Sequence, residues 1–545
     1  MRKNPLASAL AAAAVGVVGV ANISNAVTLN PDGVGQVLVY PYYSSNAGND
    51  TLISVVNTTA NSKAVKVRFL EALNSREVLD FNLYLSEYDV WAAAVTRGPA
   101  AAGAPAGGNF AERSVLVVAT PEDTENSPLI DDSEDTCTVP PTSTNSLYTQ
   151  NPTFVDGRVF VPFREQAAFA DPGPDNIDRL NEGYVEMIEM ATIPDGGLVD
   201  AFVTHVLGEP GGCLVLEEAW RTGQSGGVTG FLGLFANAGQ DPNAGLLPPS
   251  GGLFGGGAVI NVADGAYYNY NADALDAFSG VADHTAPGSI EPNLADVNDG
   301  PGTGTATSRV FINGQTVVSV WGAGGATGNT TTNGRIDAVS HVFALDHLYN
   351  EYTTERALGA ASEWVLTFPT KAFYVDGQRY APAPKAPFTR SFGAGGACEP
   401  VAITVYDREE DFLQIVSFSP PNPEGLVFCW EAQVLSFNQP AGASAVMGSN
   451  FKANINTRVT INGIDQQVFE KGWVDIDLGI NHASRVSNDL DVFFGLPVTG
   501  FWAIRVENAF AGPAAGDAGN YGGLNKHRGQ RLCEGQETVN PTCLD

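Results

Sequence analysis

Positive charge is what this sequence has least of. It carries 28 Lys and Arg against 60 Asp and Glu in 545 residues, a formal net charge of −32. Phosphate backbones would be repelled, so binding nucleic acid by electrostatics is excluded. Charged residues of both signs make up 16% of the chain, against ~25% in an average soluble domain. There are only four Met and six His. No His-Glu-x-x-His and no Cys-x2-Cys occurs, so the spacings that hold zinc are missing. Beyond the first segment no apolar run reaches the ~18 residues of a membrane-spanning helix. With 61 Gly and 33 Pro, long helices are disfavoured. The 44% of hydrophobic residues is too high for a disordered chain and sufficient for a large core.

The first residues set an expected compartment. Met1-Arg2-Lys3-Asn4 is a short basic region, Leu6 to Val20 is apolar, and Ser24 and Ala26 are small residues at the −3 and −1 positions of a cleavage site. Residues 1–26 therefore read as a secretory signal peptide, with an uncleaved anchor as the alternative. Cleavage after Ala26 removes Arg2 and Lys3 and takes the net charge to −34. The chain is expected to be exported, to the extracellular space or outer cell surface, or to the periplasm. No transmembrane helix is expected after cleavage. Six cysteines in an oxidising compartment imply disulfides. Many pairings are open, and the sequential set closes the shortest loops: Cys137–Cys213, Cys398–Cys429 and Cys533–Cys543.

The chain reads as strands between Gly-rich turns. Gln36 to Tyr43, Thr51 to Val56, Ala64 to Phe69 and Val78 to Leu85 are β-branched, aromatic or alternating. Val65, Val67 and Phe69 share one face, and Lys66 and Arg68 fall on the other, which predicts a half-buried strand. Leu79, Phe81, Leu83 and Leu85 repeat the pattern. The expected class is mainly β, an antiparallel Ig-like β-sandwich with one or two short helices. Asn313-Gly314 predicts a hairpin turn within Arg309 to Trp321. The three- and four-residue spacing of Val339, Val342, Phe343, Leu345, Leu348 and Tyr349 predicts a helix over Asp337 to Thr354. Asn271 to Phe278 is a second, shorter helix candidate. Cys213 to Trp220 reads as a strand. Residues 280–308 are poor in large apolar side chains and suggest a boundary near residue 300. The expected layout is an N-terminal β-rich domain, 27–300, and a C-terminal one, 301–545.

Phrases spread over most of the chain resemble a family of uncharacterised, exported, β-rich cell-surface proteins of Gram-negative bacteria. They are Asn30 to Tyr43 (NPDGVGQVLVYPYY), Asp50 to Thr58 (DTLISVVNT), Val65 to Trp91, Leu253 to Phe278, Glu363 to Asp376 (EWVLTFPTKAFYVD), Asp407 to Asp411 (DREED), Phe428 to Val434 (FCWEAQV) and Gly495 to Phe501 (GLPVTGF). The resemblance implies a shared exported β architecture and brings no catalytic residues.

Candidate chemistry is thin. Gly223-Gln224-Ser225-Gly226-Gly227 matches G-x-S-x-G, but Val228-Thr229-Gly230 is a poor start for the helix a nucleophile elbow needs. Asp407-Arg408-Glu409-Glu410-Asp411 between two apolar runs reads as a turn, with a glycosidase carboxylate pair as the competing idea. Acidic loops are more suggestive, because hard oxygen ligands suit Ca²⁺. Seven carboxylates crowd Pro121 to Asp135, with Asp131, Asp132 and Asp135 nearest Cys137. Asp171, Asp175 and Asp178 occupy a Pro/Gly loop. Asp296 and Asp299 precede Gly300, outside any EF-hand pattern because the twelfth residue from Asp296 is Thr307. Calcium bound by Asp131, Asp132 and Asp135 or by Asp296 and Asp299 is the cofactor expectation; the alternative is solvated, mutually repelling charge. Tyr42-Tyr43 and Tyr267-Tyr268-Asn269-Tyr270 are candidates for stacking on sugars or for the core.

These features favour a structural or interaction protein of the cell envelope, a surface layer, matrix or adhesive element. Its partners would be cell-surface components or further copies of itself. The alternative is an extracellular polysaccharide- or ligand-binding module, and behind it a secreted hydrolase. No catalytic residue is assigned.

Overall fold

Val37–Ser44, Ser62–Glu71, Glu77–Leu85 and Glu182–Ile193 are rich in β-branched and aromatic residues and pair side by side as the centre of a sheet. In the computed structural model the described residues are 26–98, 113–119, 137–139, 153–155, 158–163, 171–197, 199–206, 209–220, 235, 241–322, 334–461, 464–508, 519–535 and 543. Four main sheets hold most of the strand residues among them. Sheet I has seven strands in the order Thr28–Leu29, Asp273–Asp276, Val37–Ser44, Glu182–Ile193, Ser62–Glu71, Glu77–Leu85, Cys137–Val139. Sheet II also has seven: Ala266–Asn271, Leu253–Asn261, Asn49–Asn57, Val90–Arg97, Ser114–Ala119, Arg158–Pro162, Thr153–Val155. Leu38, Val65, Val67, Phe69, Leu79, Phe81 and Leu83 of sheet I meet Ile53, Val55, Trp91 and Val259 of sheet II in one core.

Sheet III runs Phe412–Ile415, Ala402–Asp407, Lys471–Asp477, His347–Thr353, Arg528–Gln530. Sheet IV runs Lys452–Ile455, Ala432–Phe437, Ala360–Thr367, Thr499–Asn508, Gly519–Lys526. Leu348, Tyr352, Ile403, Val405, Val474 and Ile476 of sheet III share a core with Trp364, Leu366, Leu435, Phe437 and Trp502 of sheet IV. The other face of sheet IV, through Val365, Val434, Phe501 and Ala503, joins the core of the first sandwich. Tyr270 and Phe501 stack there with centroids 5.3 Å apart. Sheet IV is thus covered on both faces, and the outer face of sheet III is left open. The class is mainly β with sandwich packing, as the strand spacing predicts. Among the described strands the pairings are antiparallel except that of Ala432–Phe437 with Lys452–Ile455, which is parallel.

Several local expectations are corrected. The predicted helix over Asp337 to Thr354 is a helix only at Ile336–Phe343. Ala344 turns extended, and His347–Thr353 pairs on both sides, with Lys471–Asp477 and Arg528–Gln530. Those two ladders satisfy the backbone that a longer helix would have served. Asn271 to Phe278 is not helical, because Asp273–Asp276 is held between two strands of sheet I. Conversely Cys213–Trp220 is a helix, and its buried Cys213, Leu216, Ala219 and Trp220 recur at helical spacing. Thr305–Ile312 and Gln315–Gly322 form the predicted hairpin, with Asn313 and Gly314 both at positive φ (49° and 82°), as a two-residue type I′ turn needs.

The expectation that Lys66 and Arg68 face solvent is overturned. Both are buried, and a layer of carboxylates meets them. Lys66 lies 3.6 Å from Asp80, and Arg68 bonds Glu77 at 3.0 Å and Glu186 at 2.7 Å. Residues 283–291 close over this face: Lys66 Nζ donates to Ala286 O at 2.7 Å, and Asn82 Nδ2 donates to Thr285 O at 2.8 Å. Gly/Pro-rich sequence packs here as a cover. One hydrophobic cluster runs across the neighbourhood of residue 300, from Val37, Leu275 and Val297 to Val310, Trp321 and Trp364. The three cysteine pairs that meet are Cys137–Cys213, Cys398–Cys429 and Cys533–Cys543. Among the described residues no helix is long and apolar enough to cross a membrane.

Candidate functional site

Alternation along the strands of sheet III decides what its open face displays. Ile403 and Val405 point inward, so Thr404 and Tyr406 point out; Val474 and Ile476 point inward, so Trp473, Asp475 and Asp477 point out. The ladder aligns Phe412 with Tyr406, Tyr406 with Trp473 and Trp473 with Glu351. One residue pair along, Thr404, Asp475, Tyr349 and Arg528 form the next row. Phe412 is 68% exposed and Trp473 40% exposed. Large aromatics so placed contribute little to a core and mark contact surfaces.

The rings are ordered. Tyr406 and Trp473 stack with centroids 4.2 Å apart and planes at 6°. Tyr349 meets Trp473 edge to face at 6.1 Å and 69°. Tyr406 stacks on the indole, and the indole also lines a groove of about 350 Å³. Trp473 and Tyr349 form two walls, Trp502 lines it from sheet IV, and Glu351, Asn525, Lys526 and Arg528 bring polar groups. The Tyr349 hydroxyl donates to Gln530 Oε1 at 3.2 Å, and Asn350 Nδ2 donates to Asn525 O at 3.2 Å, which fixes two of the walls.

A carboxylate cluster borders this face. His347 Nδ1 lies 2.8 Å from Asp475 and its Nε2 lies 3.6 Å from Asp346. Burial alone would lower the imidazole, but the hydrogen bond to Asp475 and the charges of Asp475 and Asp346 outweigh it and raise its pKa. Burial and the same carboxylates push the Tyr349 phenol up, so it stays a neutral donor. An aromatic corner with polar rims can take the apolar face of a sugar ring and hydrogen-bond its edge.

The sequence candidates fall elsewhere. Asp131, Asp132 and Asp135, the acidic loop 121–135 and Gly223 to Gly227 lie outside the described residues, as does most of the proposed signal peptide. Asp296 accepts the Asn293 N–H at 2.8 Å in a capping box, and burial pushes its carboxyl up to about 6. Asp299 accepts from Thr307 N at 2.6 Å, Thr307 Oγ1 at 2.8 Å and Thr305 Oγ1 at 3.0 Å. Both carboxylates are engaged by their own loop. Among the described residues no group of three or more His, Cys, Asp or Glu is arranged to hold a metal. Tyr42, Tyr43, Tyr268 and Tyr270 are buried core residues, which corrects their candidacy for sugar stacking; Tyr267 alone of that set is exposed. Asp407 to Asp411 is a turn, where Asp407 Oδ1 accepts from Glu409 N and Asp411 N at 2.9 Å each. His341 is buried against Phe493 and bonds Ser308 Oγ at 2.6 Å.

Sequence reasoning missed Tyr349, Tyr406, Phe412 and Trp473. The available signal was an aromatic on the polar face of an alternating strand: Trp473 shares its parity with Asp475 and Asp477, and Tyr406 with Thr404. No family model, curated protein or solved structure matches the chain.

Proposed function

We propose that the protein is an exported binding protein of the cell envelope that holds an uncharged polysaccharide against the outer face of sheet III. The carrying observation is the groove walled by Trp473 and Tyr349, with Tyr406 stacked on the indole. Trp473 and Phe412 are exposed on the open face of sheet III, where aromatic surface adds little to a core. Glu351, Asp346, Asp475 and Asp477 on or beside the same face offset Lys526 and Arg528 of the groove lining, so no excess of positive charge is there to select a polyanion. Three disulfide pairs suit export to an oxidising compartment. Kinship with exported cell-surface proteins belongs to the same proposal and rests on the phrases named above. Calcium, if the envelope supplies it, would act through the segment holding Asp131, Asp132 and Asp135 rather than through this face.

Affinity electrophoresis tests the reading. Gels cast with dextran, laminarin, galactomannan or xyloglucan should retard the wild-type protein in at least one case. Trp473→Ala and Tyr349→Ala should restore free migration. Unretarded wild-type protein in all four, or equal retardation of both variants, would overturn it.

A further inference from the structure

A second cavity lies far along sheet IV from the aromatic groove. It encloses about 490 Å³ between the edge strand Lys452–Ile455 and the segment 418–422, beside the Cys398–Cys429 disulfide. Trp430 and Phe418 supply aromatic walls, and Gln433, Asn450 and Lys452 supply polar ones.

Gln433 is the informative residue. Its side chain is 3% exposed, and its Oε1 accepts the Trp430 N–H at 3.4 Å. That bond assigns the other end of the amide to the Nε2 donor. Nε2 is buried and has no hydrogen-bond partner among the described residues. Buried amide donors are almost always paired, so an unpaired one lining a cavity calls for an acceptor from outside the chain. Lys452 stands on the same wall. Its Nζ donates to Pro440 O at 2.8 Å and Ala443 O at 3.4 Å, which holds the ammonium in place with a third N–H to spare. Among the described residues no Asp or Glu lines the cavity, although the chain has 60 of them against 28 Lys and Arg. A carboxylate-free pocket with one lysine and an unpaired amide donor is a local exception to the charge of the molecule. Anion affinity gains from both features.

We propose that this cavity binds the carboxylate-bearing unit of an acidic polysaccharide, a uronate whose ring lies on Trp430 and whose carboxylate accepts from Gln433 Nε2 and Lys452 Nζ. The site is independent of the aromatic groove on sheet III. Its ligand class differs because no carboxylate among the described residues lines it, whereas Glu351 lines the groove.

Isothermal titration with trigalacturonate and with its uncharged counterpart, galactotriose, reads the proposal directly. Trigalacturonate should bind at least tenfold more tightly, and the difference should shrink as salt rises. Gln433→Glu turns the donor into an acceptor and should weaken trigalacturonate binding at least tenfold. Lys452→Gln, at the rim, should do the same with an unchanged melting temperature, so the test survives if Gln433→Glu does not fold. Trp473→Ala should leave trigalacturonate binding unchanged, which separates this site from the groove. Equal affinity for the two trisaccharides would overturn the proposal. So would full binding by Lys452→Gln, loss of binding in Trp473→Ala, or equal binding of a tripeptide with a free carboxylate.

Discussion

Arg179 and Glu71 form a two-bond ion pair that solvent does not reach: Nη2 to Oε1 is 2.7 Å and Nε to Oε2 is 3.1 Å. Asp171 completes it, bonding Nη1 and Nη2 of the same guanidinium at 3.0 Å each. Glu71 also accepts the N–H groups of Leu73, Asn74 and Arg76, so the pair organises the turn after Ser62–Glu71. Asp171 passes the network to Arg76, which reaches Asp376 at 3.0 Å.

Removing Arg179 would leave the buried Glu71 carboxylate without its cation and Asp171 with Arg76 alone. Arg179→Met is expected to cost about 3–5 kcal/mol, the range for breaking a buried pair from one side. Arg505→Met, which breaks the half-exposed pair with Asp264, should cost less than about 1 kcal/mol. Urea denaturation of the two variants measures the contrast, and similar losses would contradict the network's role.

Stability should fall as pH rises from about 6.5 to 8. Burial pushes Glu431 up to about 8 and Glu186 to about 7, against the opposing charges of Lys371 and Arg68, and Asp296 to about 6. Unfolded carboxyls titrate near 4. Between that value and the folded ones the native chain binds more protons, so stability falls as pH rises toward 8. Asp171 works in the other direction. Burial would raise it, but hydrogen bonds from Arg179 and Asn74 hold it at about 2. Its contribution is present above the unfolded value and is lost as pH falls through about 2. Burial lowers His284 to about 4 and His527 to about 3, which opposes the carboxyls below the unfolded imidazole value near 6.5. Urea midpoints should therefore fall between about pH 6.5 and 8, and a rise over that range would contradict these assignments.

The Cys398–Cys429 bond closes a loop with a sequence separation of 31. Loop-closure entropy then gives a loss of about 3–4 kcal/mol for Cys398→Ala with Cys429→Ala. Thermal and urea melts of the double variant check it, and mass spectrometry of the unreduced protein should find no free thiol at either position.

Strand parity carried much of the fold. Val65, Val67 and Phe69 point where the alternation puts them, into the core between sheets I and II. Parity could not reveal what covers the opposite face. Lys66 and Arg68 look solvated until Asp80 on the next strand, and Glu186 and residues 283–291 far away in sequence, close over them. The helix predicted through Thr354 failed for a related reason: Leu348 and Tyr352 fit a helical stripe and an inward strand face equally well, and pairing with Lys471–Asp477 decided between them. Aromatic clusters misled in the same way. Tyr42, Tyr43 and Tyr270 are conspicuous in sequence and buried in space, whereas Tyr349, Tyr406 and Trp473 are dispersed over more than 100 positions and meet only when sheet III forms.

Acrylamide quenching of tryptophan fluorescence tests the central reading most directly, because Trp473 lies on the open face at 40% exposure while Trp321, Trp364 and Trp502 are buried. With the polysaccharide that retards the protein most strongly, quenching should fall as the sugar covers the indole. Trp473→Phe should quench less at the outset and show no further change on adding the polysaccharide. Polysaccharide binding that leaves wild-type quenching unaltered, or that protects Trp473→Phe equally, would contradict the assignment of the groove.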